Sequence, residues 1–323
     1  MRKYALAALL ILAFAAVAWP AGAPAKPAGD NAFLGRWDVT VPPAAGSQRA
    51  RFCWLEVTKP GGTLKGRFNS GGGAVFDLPE VSIANGELTF GYSQGKPPKE
   101  NKSLWKATLK GGRLEGTAML DKLTLSWTGA RGPVWPKTAP KRKPGKPVDL
   151  FNGKDVSGWL GQRANQPLGW SIQDGAMVNQ DKGANNIYSE QKFKDFKLEV
   201  EFKVDPKSNS GIYLRGRYEI QVMDEYGKPV DQLNVHSMGA LYGFMIPPVN
   251  ACKPPTEWQN YEITLIANRV TVLLNGQKIM ENLEVPGITG GALDANESEP
   301  GPIMIQGDHG KVQYRKIRVT PLI

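Results

Sequence analysis

FKLEVEFKV, from Phe196 to Val204, is the stretch that decides the fold. Apolar residues occupy every second position, and lysines and glutamates alternate with them. Successive side chains of a strand point to opposite faces, so this pattern predicts a strand buried on one face of an antiparallel sheet. The runs GWSIQDGAMVNQ (169–180), NNIYSEQKF (185–193) and the segment 258–282 have a similar character. We therefore predict a two-sheet β-sandwich over residues 148–323.

A second β unit is predicted at about residues 30–132. Strand-length runs alternate there with turns at Gly61-Gly62, Asn85-Gly86 and Gly111-Gly112, where glycine and asparagine supply the positive φ of tight hairpins. This spacing predicts a small antiparallel barrel or sandwich. No group of catalytic side chains stands out in this unit, so we expect an accessory role. The core of the barrel is expected to contain the aromatic residues Trp37, Trp54, Phe68, Phe76, Trp105 and Trp127.

Two further segments lie outside these units. Residues 1–23 combine Arg2 and Lys3, an apolar run and small residues at 21–23, which is the pattern of a secretory signal peptide. Residues 133–147 are rich in proline and lysine and predict an extended, solvated linker. We therefore expect a secreted or periplasmic protein that is not stably inserted in a membrane after cleavage of the signal peptide.

The net charge and the number of cysteines argue against two classes of protein, nucleic-acid-binding proteins and disulfide-rich proteins. The formal net charge is +10, and part of that excess lies in the linker. No nucleic-acid-binding module accompanies the charge, so nucleic acid is not an expected partner. Cys53 and Cys252 are the only cysteines. They exclude a disulfide framework and leave open either one bridge between the two units or two free thiols.

GIYLRGRYEIQVMDEYG, from Gly211 to Gly227, carries the most chemistry in the chain. We interpret it as one long strand with an apolar face. Guanidinium, carboxylate, amide and phenol groups on the other face are suited to a polyhydroxylated ligand. An ordinary charged sheet face with an Arg–Glu cross-strand pair explains the pattern equally well. The polar face contains Tyr213, Arg215, Arg217, Glu219 and Gln221, with Asp224 just beyond them.

A series of motifs in the second unit resembles the 3-keto-disaccharide hydrolase domain family, a branch of the concanavalin A-like jelly rolls. In chain order they are LFNGKDVSGW (150–159), NSGIYLRGRYEIQVMD (209–224), GALYGFMIPPVNACKPPTEWQNYEI (239–263), VTVLLNGQKI (270–279) and GPIMIQGDHGKVQYRKIRV (301–319). The first unit has only a faint resemblance to lipocalin-like barrels, through LGRWDV (34–39). The family resemblance implies a sandwich whose concave sheet binds a carbohydrate substrate, a 3-keto-glycoside.

The chemistry of such a substrate defines the groups that the protein must supply. A ketone at C3 acidifies the hydrogen at C2, so a base can remove it and the C1 substituent can leave, after which water can add. The site then needs a base, a group that stabilises the enolate and an acid for the leaving oxygen. It does not need the paired carboxylates of ordinary glycosidases.

Roles for particular residues follow as hypotheses. Glu219 or His309 is the expected C2 base, and Tyr242 is the expected proton donor. Arg215 and Lys253 are expected to bind the enolate or hydroxyl groups. Asp224 is a further catalytic candidate. The other residues expected to bind substrate are Gln221, His236, Trp258, Gln306 and Asp308.

Several alternatives stay open at this point. A divalent cation could be held by Glu219, Asp224 or Asp308 together with a histidine, and Ca²⁺ could bind the loop DANESE (294–299). Trp258 could equally be a core residue. Because fold does not settle function, the whole protein could also be a non-catalytic carbohydrate-binding or envelope adhesion protein.

Overall fold

The computed structural model describes residues 29–43, 49–73, 75–94, 101–120, 123–180 and 183–323. The predicted signal peptide at 1–23 lies outside these residues. Apart from 3-10 turns at Asp30–Phe33, Pro60–Gly62 and Val230–Gln232, the secondary structure of this part of the chain consists of strands. Within the described ranges, no helix is long and apolar enough to cross a membrane. The protein is therefore all-β, as predicted.

Antiparallel strands form a nine-stranded sheet in the first unit, in the order β4-β3-β2-β1-β9-β8-β7-β6-β5. The sheet curls so that β5 at one end approaches β3 near the other end, since an added Cβ at Gly66 of β3 would lie 2.6 Å from the side chain of Val81 on β5. Of the two forms that we predicted, an antiparallel barrel or a sandwich, the first unit has the barrel. Its strands are β1 (Gly35–Val41), β2 (Arg51–Thr58), β3 (Lys65–Asn69), β4 (Val75–Asp77), β5 (Glu80–Ala84), β6 (Glu87–Gln94), β7 (Asn101–Lys110), β8 (Arg113–Leu120) and β9 (Leu123–Arg131).

The barrel core contains most of the expected aromatic residues, but not Trp54. On β2, Cys53 and Leu55 point into the barrel, so the alternation of the strand turns Trp54 outward. Its ring stacks against Phe244 of the second unit at 6.0 Å between centroids. The expectation that Trp54 belongs to the barrel core is therefore wrong, because this residue packs between the units. Cys53 and Cys252 are both free thiols, which excludes a bridge between them.

Two sheets form the second unit, and their apolar faces pack together as a sandwich. One has five strands in the order β11-β14-β21-β16-β17. In the other, an eight-stranded sheet, the order is β12-β13-β22-β15-β18-β19-β20, and β10 also pairs with β22. The first six of these strands in the chain are β10 (Val148–Asp149), β11 (Trp159–Gly161), β12 (Trp170–Gln173), β13 (Ala176–Asn179), β14 (Ile187–Phe193) and β15 (Phe196–Val204). The remaining strands are β16 (Asn209–Leu214), β17 (Tyr218–Met223), β18 (Gln259–Ile266), β19 (Arg269–Leu274), β20 (Gln277–Glu284), β21 (Gly301–Ile305) and β22 (Val312–Pro321).

The strand predicted at Phe196–Val204, β15, lies inside the eight-stranded sheet. β15 pairs with β18 on one side and with β22 on the other. All of its apolar residues are buried against the five-stranded sheet, whereas the lysines and glutamates between them are only half-buried. The alternation therefore predicted both the strand and its buried face correctly.

The segment Gly211–Gly227 is a hairpin and not the single strand that we expected. Arg215 and Gly216 form its turn with φ of 53° and 68°, and the Arg217 N–H donates to the Leu214 carbonyl at 3.0 Å. Leu214 pairs with Tyr218, so three residues, 215–217, connect the two strands. An odd number of connecting residues preserves the alternation, so Tyr213 lies directly opposite Glu219 on the predicted polar face.

The proline-rich linker is bound to the sandwich over part of its length. Lys143 and Ile323 exchange two backbone hydrogen bonds of 2.8 and 2.9 Å, and the Gly145 N–H donates to the Pro321 carbonyl at 2.7 Å. Arg142 also bonds a carboxylate oxygen of Asp195 at 2.6 Å. Proline lacks a donor, but its neighbours can still pair with a strand, so the linker is held along the sandwich at 142–145. None of residues 133–147 is buried, so the linker stays in contact with solvent.

The barrel packs against one loop of the sandwich, residues 286–297. Arg36 donates to the Pro286 carbonyl and to the Glu297 carboxylate. Trp54 Nε1 donates to the Ile288 carbonyl at 3.1 Å. At Gly290 an added Cβ would lie 2.6 Å from the backbone nitrogen of Gly73, so the two backbones meet closely. This packing brings the barrel residues 71–73 beside the outer face of the five-stranded sheet.

Candidate active site

A cavity of about 220 Å³ lies on the outer face of the five-stranded sheet, where the barrel meets the sandwich. β16, β17 and the loop after β21 form its floor and one wall. Gly290 and Gly291 of the 286–297 loop form the other wall, together with Arg49 and Gly72 of the barrel. Its lining residues are Arg49, Gly72, Asn186, Asn209, Tyr213, Glu219, Gln221, Tyr242, Gly290, Gly291, Gln306, Asp308 and His309.

Glu219 is the buried carboxyl group of this cavity, with an exposed fraction of 2%. Its backbone N–H donates to Thr289 Oγ1 at 3.0 Å, which fixes the end of β17 against the 286–297 loop. The side chain lies over Gly211 on the neighbouring strand, where an added Cβ would lie 2.1 Å from Glu219 Oε1. Burial raises the pKa of Glu219 to about 8, against a hydrogen-bonding effect of Tyr213 that lowers it. At neutral pH this carboxyl group can therefore exchange a proton readily.

Two tyrosines flank Glu219. The Tyr213 hydroxyl donates to the Gly290 carbonyl at 3.1 Å, and burial raises the pKa of Tyr213 well above its ordinary value. The Tyr242 N–H donates to the Glu219 carbonyl at 3.0 Å. Burial and the charge of Glu219 also raise the pKa of Tyr242. Both phenols thus keep their protons at neutral pH and can act as donors.

His309 and Asp308 form a pair on the opposite side of the cavity. His309 Nδ1 lies 2.6 Å from Asp308 Oδ1, and this hydrogen bond raises the pKa of His309, although burial opposes it. Burial by itself would raise the pKa of Asp308, but the hydrogen bond from His309 and the charges of His309 and Arg163 hold it below its ordinary value. The Gly307 N–H donates to Asn186 Oδ1 at 2.8 Å and fixes the loop. The imidazole is therefore held ready to carry a positive charge.

Two amide side chains with buried acceptors line the same cavity. Gln221 is 3% exposed, and its Nε2 donates to Asn209 Oδ1 at 3.2 Å. In the described part of the chain, the Oε1 atoms of Gln221 and Gln306 are buried and have no hydrogen-bond partner. A buried acceptor without a partner is costly, so a ligand that donates hydroxyl groups to these oxygens gains that free energy on binding.

His236 lies behind the cavity wall. Its ring packs against Tyr242 with 4.7 Å between centroids, and its backbone N–H donates to Asn234 Oδ1 at 2.8 Å. It is not among the lining residues. The predicted substrate contact of His236 therefore stays a prediction, and the contact that the structure shows is with the ring of Tyr242.

Arg215 is directed away from the cavity by the turn it occupies. It is completely buried, and its Nη2 lies 3.1 Å from Asp195 Oδ1. Asp224 accepts backbone hydrogen bonds from Lys207 at 2.9 Å and from Tyr226 at 3.4 Å, so it stabilises turns at the end of the hairpin. Neither residue lines the cavity. A catalytic or binding role for these two stays a prediction that the geometry of the cavity does not support.

Lys253 and Trp258 lie together on another part of the surface. Lys253 Nζ donates to the Trp258 carbonyl at 3.1 Å. The indole ring is packed between Lys203 at 5.0 Å and Arg315 at 4.2 Å from its centroid, so it is neither a core residue nor a wall of the cavity. The hypothesis that these residues contact the sugar in this cavity has no support from their position.

The residues proposed for a cation do not converge. Within the described ranges, no group of three or more His, Cys, Asp or Glu side chains is placed to hold a metal ion. Asp294, which begins the loop DANESE, instead binds Arg217 Nε at 2.6 Å. Glu219, Asp308 and His309 line one cavity, whereas Asp224 lies elsewhere. A divalent cation stays a hypothesis for experiment.

Sequence reasoning missed several lining residues. Asn209 has the parity of Gly211 and Glu219 along the hairpin, so strand alternation could have identified it. Alternation did place Tyr213 on the polar face, but we assigned it no role. Asn186 gives no comparable signal. Arg49 belongs to the barrel, and only the packing of the two units brings it to the cavity.

Comparison with known proteins places the second unit in a family. Residues 146–320 match the family model described as a 3-keto-alpha-glucoside-1,2-lyase-like domain, and the chain belongs to that family. It is 29% identical over 168 residues to a 3-keto-disaccharide hydrolase of Bacteroides thetaiotaomicron, a match that covers 42% of this chain and 57% of the relative. The chain thus spans little more than half the length of that relative. The barrel lies outside the residues that match the family model.

Solved structures from Parabacteroides distasonis are also similar to this chain. A candidate glycosyl hydrolase is 28% identical, with a TM-score of 0.46, and the match covers 58% of this chain and 94% of that one. Another structure from the same organism is 23% identical, with a TM-score of 0.44. The match covers 55% of this chain and 100% of the chain in that structure.

Proposed function

We propose that the protein is an exported enzyme that cleaves glycosides whose sugar carries a ketone at carbon 3. The observation that carries this proposal is Glu219, a buried carboxyl group with a pKa of about 8, between two tyrosines in the cavity. A base that works on a carbon acid near neutral pH needs a pKa in that range. The family of the sandwich and the printed name of the Bacteroides relative support the choice of substrate.

Each group in the cavity has a place in the reaction. The ionised carboxylate of Glu219 removes the proton from C2, and the electron pair of the C–H bond forms the enolate. The enolate then expels the substituent at C1 as the C1–O bond breaks, and a double bond forms between C1 and C2. Tyr242 gives its proton to the leaving oxygen and regains one from solvent. Water can add to the double bond in a later step.

Glu219 suits the role of base better than His309 does. The hydrogen bond to Asp308 raises the pKa of His309, so the imidazole holds a proton more strongly than a free histidine does. A protonated imidazole cannot take a proton, but it can donate a hydrogen bond to a negative oxygen. His309 is therefore the group that stabilises charge on the sugar, and Glu219 is the group that removes the proton.

A binding protein without catalytic activity is the second candidate. The buried Oε1 atoms of Gln221 and Gln306 favour it, because they would bind sugar hydroxyls whether or not a reaction followed. The two candidates differ in one respect. An enzyme that loses its base still binds the keto-sugar but no longer cleaves it, whereas a binding protein releases nothing in either form.

The test uses the mature full-length chain and a 3-keto-glucoside with a chromogenic leaving group, with the unoxidised glucoside alongside. We expect release from the keto compound alone, and E219Q should abolish it. Loss of release with EDTA would show that a cation takes part. Absence of release from both compounds, with binding retained, would refute the enzyme and leave the binding protein. Mass spectrometry of the exported protein checks the signal peptide, with cleavage expected near Ala23.

A further inference from the structure

The cavity contains one cationic side chain that the family domain does not supply. An enolate oxygen or a bound sugar oxygen is stabilised by a positive charge close by. Arg215 and Lys253 were the expected sources, but neither lines the cavity. Among the described lining residues, Arg49 is the one arginine or lysine, and it belongs to the barrel. The site therefore receives a cation from outside the matched residues 146–320.

Arg49 is anchored at the junction of the two units. It precedes β2, and its Nη2 donates to the Gly291 carbonyl at 3.0 Å. Gly291 lies over Tyr213, since an added Cβ would lie 2.6 Å from the Tyr213 hydroxyl. The Gly291 N–H in turn donates to the Gly71 carbonyl of the barrel at 3.3 Å. These contacts hold the guanidinium group of Arg49 beside Gly290 and Gly291 of the cavity wall.

Two of the titratable groups that act on Arg49, Tyr213 and Asp308, also line the cavity. Burial lowers the pKa of Arg49, while the charges of Tyr213 and Asp308 oppose that change. Arginine nevertheless stays protonated in proteins, so the guanidinium is a permanent cation at the cavity. It carries five donors in a planar fork, and can bind a ligand oxygen while it keeps its bond to the Gly291 carbonyl.

We propose that Arg49 binds an oxygen of the sugar in this cavity, so that the active site is shared between the barrel and the sandwich. This inference rests on the proposed function for the identity of the ligand. It gives the barrel a task in substrate selection, because Arg49 and Gly72 form one wall of a cavity of about 220 Å³. Cavities for drug-sized ligands are typically ~300–1,000 Å³, so a single sugar ring is the ligand class that this cavity suits.

The experiment compares R49Q, R49K and R51Q in the full-length chain. Arg51 is an exposed arginine two residues further on that does not line the cavity. We expect R49Q to lower kcat/KM for the chromogenic 3-keto-glucoside about tenfold to hundredfold, the loss typical of one charge-assisted hydrogen bond. R49K should restore part of that loss because it keeps the charge, and R51Q should match the wild type.

A merely structural role of Arg49 predicts different results. Loss of its bond to the Gly291 carbonyl would lower the unfolding temperature, and kcat/KM would fall only as the folded fraction falls. The proposal requires R49Q to lose activity at a temperature where it is fully folded by circular dichroism. Wild-type kcat/KM in R49Q, or equal losses in R49Q and R51Q, would overturn it.

A different result would show that the proposed reaction is wrong while the role of Arg49 can still be tested. If the wild type releases nothing from the keto compound, the reaction is wrong, and calorimetric binding of the same compound then tests Arg49. Weaker binding to R49Q than to the wild type would support the shared site. Equal binding, or no binding to either protein, would overturn it.

Discussion

Replacement of Glu219 by glutamine tests the chemistry and the energetics of the cavity together. Glutamine keeps the shape of the side chain but cannot accept the C2 proton. A positioned general base contributes ~10²–10⁴-fold to a reaction rate, so kcat for the 3-keto-glucoside should fall by about that factor in E219Q. In the wild type, kcat/KM should rise with pH up to about 8, as the carboxyl group of Glu219 ionises.

The same substitution should stabilise the protein at high pH. Burial raises the pKa of Glu219 from 4.5 to about 8. Between these values the folded state holds a proton that the unfolded state has released, so stability falls as pH rises through this window. One pKa unit corresponds to about 1.4 kcal/mol, and the ionised carboxylate therefore costs the fold about 5 kcal/mol above pH 8. E219Q carries no charge and should avoid most of that cost.

Denaturant unfolding at pH 5 and pH 9 measures the effect. We expect E219Q to gain several kcal/mol over the wild type at pH 9 and to gain little at pH 5. E281Q is the matched control, because the Glu281 side chain is 71% exposed and its pair with Lys278 lies at the surface. Such a pair contributes ~1 kcal/mol or less. Wild-type turnover in E219Q, or an unchanged difference in stability between the two pH values, would refute the reasoning.

Three further predictions concern neighbouring groups. D308N removes the carboxylate that raises the pKa of His309, so the imidazole should titrate at lower pH by NMR; an unchanged titration would contradict the pairing. R36L leaves the buried carboxylates beside it without their cation and should cost about 3–5 kcal/mol in denaturant unfolding. Since the pKa of Asp38 is raised to about 7, mainly by burial, that loss should grow above pH 7, and a loss independent of pH would count against it. G211A places a methyl group 2.1 Å from the carboxylate of the base and should lower kcat more than it lowers the unfolding temperature; activity equal to the wild type would exclude a fixed position for that carboxylate.

The strands were predictable because their signal is local. In β15 the alternation of apolar and charged residues is itself the burial pattern, so no knowledge of the partner strands was needed. The hairpin at Arg215-Gly216 was missed because its turn lacks the Asn-Gly or Asp-Gly signal, and its three-residue connection, 215–217, leaves the alternation unbroken. The position of Trp54 depended on which unit covers the outer face of β2, and the sequence of one strand does not contain that information.

The cavity residues that lie within the sequence motifs could be predicted from the sequence. Glu219 and the His309–Asp308 pair come from a strand and a loop whose sequences already indicated chemistry. Arg215 is in the same segment, but the turn directs it to Asp195 on the other side. Arg49 depends on the packing of one unit against another, and neither alternation nor motif spacing reports on such packing.

The order of strands in the eight-stranded sheet has a consequence for synthesis on the ribosome. β22 pairs with β10, β13 and β15, yet it begins at Val312, more than a hundred residues after β15 ends at Val204. Translation proceeds at ~5–20 residues per second, so the early strands wait several seconds or longer for their central partner. The barrel strands end at Arg131 and are synthesised well before then, while Trp54 still lacks the sandwich surface that covers it. The nascent chain is therefore most vulnerable to aggregation during this interval.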